Sequence, residues 1–345
     1  GGPRQDFQTG INSVPERLEQ LKHWLENELN FSEYTLRPAS ADASFRRYFR
    51  VLHEGVSYVV MDAPPQQEDS RPFIRISKML FDLGLNVPEV IDESLQQGFL
   101  LLSDLGSAPY LDVLDEETVE RLYGDALGAL ATLQACTPDN ASLPAYDRAL
   151  VLGERELSRE WLLGEHLGLS PDAVQTGMID AAFELLAENA LAQPRVCVHR
   201  DYHSRNLMHT AVNNPGILDF QDAVIGPVTY DLVSLLRDCY IEWPRARVED
   251  WALGYQDLAL QSGILRAEHD DPQQFLRWFD LMGMQRHLKA AGIFARLNHR
   301  DGKTGYLRDI PRTLGYVVEV AGRYDDLAAF GQFIDTEVLS RLPAE

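Results

Sequence analysis

Leu18, Leu21, Leu25 and Leu29 recur at helical spacing with charges between them, so residues 14–30 read as an amphipathic helix. From Tyr34 the period changes. Runs rich in Tyr, Phe and Val at 34–36, 45–52 and 57–61, separated by polar stretches at 39–44 and 53–55, read as an antiparallel meander. Pro64-Pro65 stops the third run. Phe73, Ile76, Met79, Leu80 and Leu83 then line one side of a helix over 71–83, with Pro72 in its first turn. Residues 86–91 read as extended, and 98–102 as a strongly apolar strand leading into Ser103-Asp104-Leu105-Gly106. Beyond Gly106 a period near 3.6 dominates, with helices expected over 116–135, 154–167, 171–192, 229–240, 248–261, 272–297 and 307–324. The expected class is α+β: a small antiparallel sheet lobe over 1–105 and a mostly helical lobe over 106–345, with a seam at 103–107.

Composition narrows the partners. A length of 345 residues suits two lobes, and 45% hydrophobic with 24% charged residues is ordinary for a water-soluble protein. The net charge of −22 offers no basic field for a nucleic-acid backbone, so nucleic acid is not expected as a partner. No apolar run approaches the ~18 residues of a membrane span, and no basic-then-apolar leader stands at the start. Cys136, Cys197 and Cys239 are odd in number, far apart and in apolar contexts, which fits reduced, buried thiols in a cytoplasmic protein.

The candidate chemistry lies where two short apolar runs interrupt the helices. Val196-Cys197-Val198 leads into His199-Arg200-Asp201-Tyr202-His203-Ser204-Arg205-Asn206, and Gly216-Ile217-Leu218 leads into Asp219-Phe220-Gln221-Asp222. Asn206 follows Asp201 by five positions, and Asp219 follows Asn206 by thirteen. Carboxylate, amide and carboxylate on loops between buried strands make a proton acceptor beside an oxygen-ligand metal site. Phosphoryl transfer from a nucleotide such as ATP, with Mg²⁺, requires those parts. His199, Asp201, His203 and His209 also permit a zinc site, but that leaves Asn206 and Asp219 unexplained. His199 reads better as a buttress of the loop.

With these residues in view, the chain resembles the aminoglycoside phosphotransferase and choline kinase group of the protein-kinase-like fold. His199-Arg200-Asp201 with Asn206 is similar to its catalytic loop, and Asp219-Phe220-Gln221 to the metal-binding Asp-Phe-Gly, with Gln for Gly. Adding Ser44-Phe45-Arg46-Arg47-Tyr48-Phe49-Arg50 and Val60-Met61-Asp62-Ala63-Pro64-Pro65, the chain looks closest to the bacterial kinases that phosphorylate C1 of N-acetylmuramate and N-acetylglucosamine in peptidoglycan recycling. The resemblance implies Asp201 as catalytic base, Asn206 and Asp219 as Mg²⁺ ligands, and a structural Asp231 holding the loop. A carboxylate in the first turn of a helix is the simpler reading of Asp231.

One departure stands out. Protein kinases place a Lys on the third strand, and this chain has none between Lys22 and Lys78. Arg47, then Arg46, are the candidates to grip the phosphates, with a solvated strand face as the alternative. Ser103 and Leu105, at the expected hinge, are candidates to present backbone groups to adenine. On the acceptor side the candidates are Tyr202, His203, Arg205 and Arg286, against ordinary surface charge for Arg286, His287 and Lys289. The expected partner is a small amino sugar, with neither nucleic acid nor membrane. An aminoglycoside or amino-alcohol kinase, and a non-catalytic nucleotide-binding pseudokinase, are the rival readings.

Overall fold

The structure is a computed structural model, described here for residues 14–41 and 45–343. They cluster into two compact units: the chain up to Ile74 with Glu89–Asp104, and Arg75–Pro88 with the chain from Leu105 onward.

The first unit is one antiparallel sheet in the order β1-β2-β3-β5-β4, from β1 (Thr35–Ala41), β2 (Arg47–His53), β3 (Val56–Asp62), β4 (Val90–Ser94) and β5 (Phe99–Ser103). Phe49 and Val51 of β2 are buried at alternate positions, while Phe99–Leu102 of β5 are buried without alternation. Leu21 of α1 (Val14–His23), with Trp24 and Leu25 of the π-turn after it, packs on Phe49, Val51, Val60, Phe99 and Leu101. Gly98 closes the β4–β5 turn at φ +80°, and a Cβ there would meet the Ala63 carbonyl oxygen at under 3 Å.

The sequence assigned residues 1–105 to the sheet lobe, but Arg75–Pro88 lies in the helical unit. This segment runs from within α2 (Arg71–Asp82) to Pro88. Hydrogen bonds to its backbone carbonyls tie it there: Ile217 N donates to Asn86 O at 2.7 Å, and the Asn213 side-chain Nδ2 to Gly84 O at 3.0 Å.

The helical unit comprises α3 (Tyr110–Val113), α4 (Val119–Cys136), α5 (Arg148–Leu157), α6 (Ala173–Ala192), α7 (Tyr230–Leu236), α8 (Arg245–Gln261), α9 (Pro272–His299), α10 (Ile310–Ala321) and α11 (Ala328–Phe333), with a π-helical turn at Ser158–His166. Local chemistry starts several of them. Asp172 and Gln175 form a capping box on α6, Asp147 caps α5 through Leu150 N, and Asp271 caps α9 with Pro272 behind it. The 28-residue α9 runs through the middle of this unit, against α5, α6, α7, α8, α10 and the π-turn. Its polar residues are therefore interior. Arg286, His287 and Lys289, read from the sequence as surface charge by default, are buried. Gly292 lets α9 reach the Leu157–Ser158 backbone, which a Cβ would approach within 3 Å. No helix among the described residues is long and apolar enough to cross a membrane. Cys136 is exposed at the end of α4, against the expectation of burial, while Cys197 and Cys239 are buried.

Candidate active site

Two short ribbons in the helical unit carry the site. β6 (Arg195–Val198) pairs with β9 (Val224–Pro227), and β7 (Leu207–Met208) with β8 (Gly216–Ile217), all antiparallel. The loop 199–206 joins β6 to β7, and Asp219 follows β8 by two residues.

Backbone hydrogen bonds to two buried carboxylates fix the loop. Asp231, in the first turn of α7, accepts from His199 N at 2.7 Å and Arg200 N at 3.0 Å. Asp238 accepts from Ser204 N at 2.8 Å and Tyr240 N at 2.7 Å. Burial pushes both carboxyls up, and these amide donors oppose it. Arg200 takes φ +86° and Asp219 φ +56°, left-handed conformations that cost non-glycine residues about 1 kcal/mol or more. The surrounding bonds hold both in place.

His199 ties the loop to the second ribbon. Its Nδ1 accepts from Asp201 N at 3.1 Å, so its proton lies on Nε2, which donates to Leu218 O at 2.7 Å. Both ring nitrogens are spent, so His199 is a buttress and not a zinc ligand. Asn206 Nδ2 donates to Asp201 O at 2.9 Å and lies 3.4 Å from Asp219 Oδ2. Gln221 Nε2 donates to the other Asp219 oxygen, Oδ1, at 2.6 Å, while its own Oε1 is buried without a partner. The structure thus brings Asp201, Asn206 and Asp219 together. Asn206 and Asp219 carry oxygen donors, the kind that suits a hard cation such as Mg²⁺.

A second cluster, which sequence reasoning missed, sits beside Asp201. Glu154 of α5 is 3% exposed and accepts from Tyr146 OH at 2.7 Å, Arg200 Nη2 at 3.0 Å and Tyr230 OH at 3.3 Å. Lys289 Nζ lies 3.4 Å from Glu154 Oε1 and donates to Tyr230 OH at 2.9 Å. Two cations, Arg200 and Lys289, therefore face two carboxylates, Glu154 and Asp201. Burial pushes the Asp201 carboxyl up, but Lys289 foremost among the cations, with Arg286, more than reverses this and holds it below its usual range. Burial keeps His203 neutral, lowering it to about 3. Nothing in the local sequence around Glu154 marks it, because α5 supplies only an ordinary helical Glu until the fold packs it against α9.

The other expected residues separate. Tyr202 is wholly buried and donates to Ala126 O at 2.6 Å, so it is a core residue and not an acceptor contact. Arg205 stacks over Tyr240, 4.3 Å from the ring centroid, and His203 meets the same ring edge-on. Arg286 is 6% exposed and reaches Cys239 Sγ at 3.9 Å. In the sheet unit, Ser103 N donates to Glu89 O at 3.0 Å and Ser103 Oγ accepts from Glu89 N at 2.8 Å, so neither is open to a base. Leu105 belongs to the helical unit, where its Cδ1 lies beside Gly216. Arg46 is buried, and Arg47 bonds Asp62 at 2.6 Å.

Residues 35–279 match the model of the phosphotransferase enzyme family. The chain belongs to that family. This phosphotransferase is 48% identical over 328 residues to the N-acetylmuramate/N-acetylglucosamine kinase of Pseudomonas putida, covering 92% of this chain and 96% of the relative. To the N-acetylmuramate/N-acetylglucosamine kinase of Neisseria meningitidis it is 43% identical over 318 residues, covering 91% and 93%. Among solved structures, the GDP complex of aminoglycoside 2'-phosphotransferase-IIIa superposes with a TM-score of 0.61 at 15% identity, covering 89% of this phosphotransferase and 99% of that chain. That likeness shows a shared protein-kinase-like fold.

Proposed function

We propose that this protein transfers the γ-phosphoryl group of ATP to the anomeric hydroxyl of N-acetylmuramate or N-acetylglucosamine. Near-full-length relatives that bear this activity in their names support the acceptor. The observation that carries the chemistry is Asp201, held ionised by Lys289 and Arg286 and tied through Asn206 to Asp219.

Asp201 accepts the proton of the C1 hydroxyl as that oxygen bonds to the γ-phosphorus, and the bond from phosphorus to the β-phosphate oxygen breaks, releasing ADP. The proton is left on Asp201. Its carboxylate suits this task because it is unprotonated at neutral pH and its backbone is fixed by His199 and Asn206. Asn206 and Asp219 would hold Mg²⁺, with Gln221 orienting Asp219. Bound there, Mg²⁺ supplies positive charge to the phosphate oxygens. His203 and Arg205, fixed against Tyr240, and the buried Arg286 form the acceptor side. Leu105 is the candidate to present a backbone edge to adenine. An enzyme acting on recycled cell-wall sugars works in the cytoplasm.

The test is a panel of N-acetylmuramate, N-acetylglucosamine and aminoglycosides with ATP and Mg²⁺, followed by phosphorus NMR. Anomeric phosphates on the two amino sugars are expected. Asp201→Asn lowers kcat by roughly 10²- to 10⁴-fold while ATP still binds. A product on aminoglycosides alone, or full activity in Asp201→Asn, overturns the reading.

A further inference from the structure

The sheet unit lacks the phosphate-binding lysine of its fold, and its arginines are not equivalent. β3 carries no lysine, and its Met61 is 1% exposed in the core. Its neighbour Asp62 is also 1% exposed and pairs across the strands with Arg47 of β2. Arg47 Nη2 bonds Asp62 Oδ2 at 2.6 Å. The other oxygen, Oδ1, receives Arg17 of α1 through Nε at 3.1 Å and Nη2 at 2.5 Å.

The two guanidinium groups differ in what they have left to give. Arg17 has 6% of its side chain exposed, its Nη1 reaches Gln20 at 3.5 Å, and its plane lies 4.5 Å from the Phe99 ring centroid. It is enclosed, and each of its three nitrogens already has a hydrogen bond. Arg47 has 28% of its side chain exposed and bonds Asp62 through Nη2. A guanidinium has five N–H donors, so Arg47 keeps several facing outward while its orientation is fixed. The arginines beside it in the chain are otherwise engaged: Arg46 is buried, and Arg50 forks onto Asp104 at 2.7 and 3.3 Å.

Charge tells the same story. Two guanidiniums and one carboxylate sum to +1. Asp62 alone would neutralise Arg47, but the buried Arg17 takes up that negative charge. A cation with open donors and an uncancelled charge is a phosphate-binding group.

We propose that Arg47 is the phosphate contact of the sheet unit, in place of the absent lysine, and that Asp62 and Arg17 are positioning residues that set its geometry and its charge. The inference rests on the ATP-dependent reading above. A single anion of small size, such as the γ- or β-phosphate, is the ligand that this arrangement takes.

The experiment is calorimetric titration of the full-length protein with MgATP, MgADP and adenosine. Arg47→Met raises the Kd of MgATP and MgADP about 10- to 100-fold and leaves adenosine within about twofold. Arg17→Met, remote from any ligand by its burial, raises the Kd of MgATP about tenfold, because Asp62 then cancels Arg47. Arg17→Met with Asp62→Asn together removes both buried charges and returns the Kd to within about threefold of the parent. Unchanged MgATP affinity in Arg47→Met overturns the proposal, as does equal weakening of adenosine, which marks a structural role alone. A double variant no tighter than Arg17→Met overturns the role of Arg17. If the Arg17 variants do not fold, Arg47→Met against Arg47→Lys carries the test, with Lys recovering part of the affinity. A parent that phosphorylates amino sugars yet shows these negative results overturns this inference alone; a parent that binds no MgATP overturns the functional reading beneath it.

Discussion

Lys289→Met removes one cation from beside Asp201 and keeps the shape of the side chain. Lys289 Nζ stands 3.4 Å from Glu154 Oε1 with both side chains buried. At an effective dielectric of about 20 that separation corresponds to roughly 5 kcal/mol of gross attraction, most of it offset by the desolvation of both groups. Losing one member of a buried pair costs about 3–5 kcal/mol. Glu154 retains Arg200 at 3.0 Å and Tyr146 at 2.7 Å, so the lower end applies, about 3 kcal/mol. In a protein of this size that lowers Tm by roughly 4 °C. The second consequence is electrostatic. In the parent the folded Asp201 carboxyl lies below its unfolded value, so its stabilising contribution is complete above the unfolded pKa and is lost as pH falls through the folded one. Without Lys289, burial is less opposed and the folded value rises. The acid limb of kcat/KM for the sugar therefore moves toward neutral pH. A coupled assay of ADP release from pH 5 to 9 reads it: the ratio of variant to parent kcat/KM is about threefold or more lower at pH 5 than at pH 8. Superimposable acid limbs, in a variant that has lost the expected stability, would refute the claim that Lys289 keeps the base ionised.

Gln221→Ala removes the amide donor that orients Asp219, so half-saturation by Mg²⁺ rises about tenfold, read from activity against metal concentration and from metal-dependent thermal shift. Asp231→Asn sets amide hydrogens against one of the two backbone N–H groups it accepts from and destabilises the fold by about 1–3 kcal/mol, measurable by urea denaturation, with loss of turnover as the 199–200 backbone loosens. Gly292→Ala drives a methyl into the Leu157–Ser158 backbone and costs roughly 1–3 kcal/mol in the same assay, whereas Gly254→Ala, with open space around it, costs nothing measurable.

The sequence by itself determined the two-part layout, because hydrophobic period is a local property. The change from alternation to a 3.6 repeat is visible at Gly106, and the capping residues of α5, α6 and α9 stand in the chain. It also determined which residues could carry the chemistry. Asp201, Asn206 and Asp219 lie within 19 residues of one another, on two ribbons that local pairing alone brings together. The tertiary structure decided the rest, through burial and long-range partners that no local pattern encodes. Tyr202 sits one position from Asp201 yet serves the core, since its hydroxyl meets Ala126, 76 residues away. Arg286 and Lys289 look like surface charge until α9 is placed at the centre of its unit, where Lys289 finds Glu154 at a separation of 135 positions. The missing lysine is a fact of sequence; that Arg17, Asp62 and Arg47 share one carboxylate is a fact of packing, because α1, β3 and β2 meet only in the folded sheet unit.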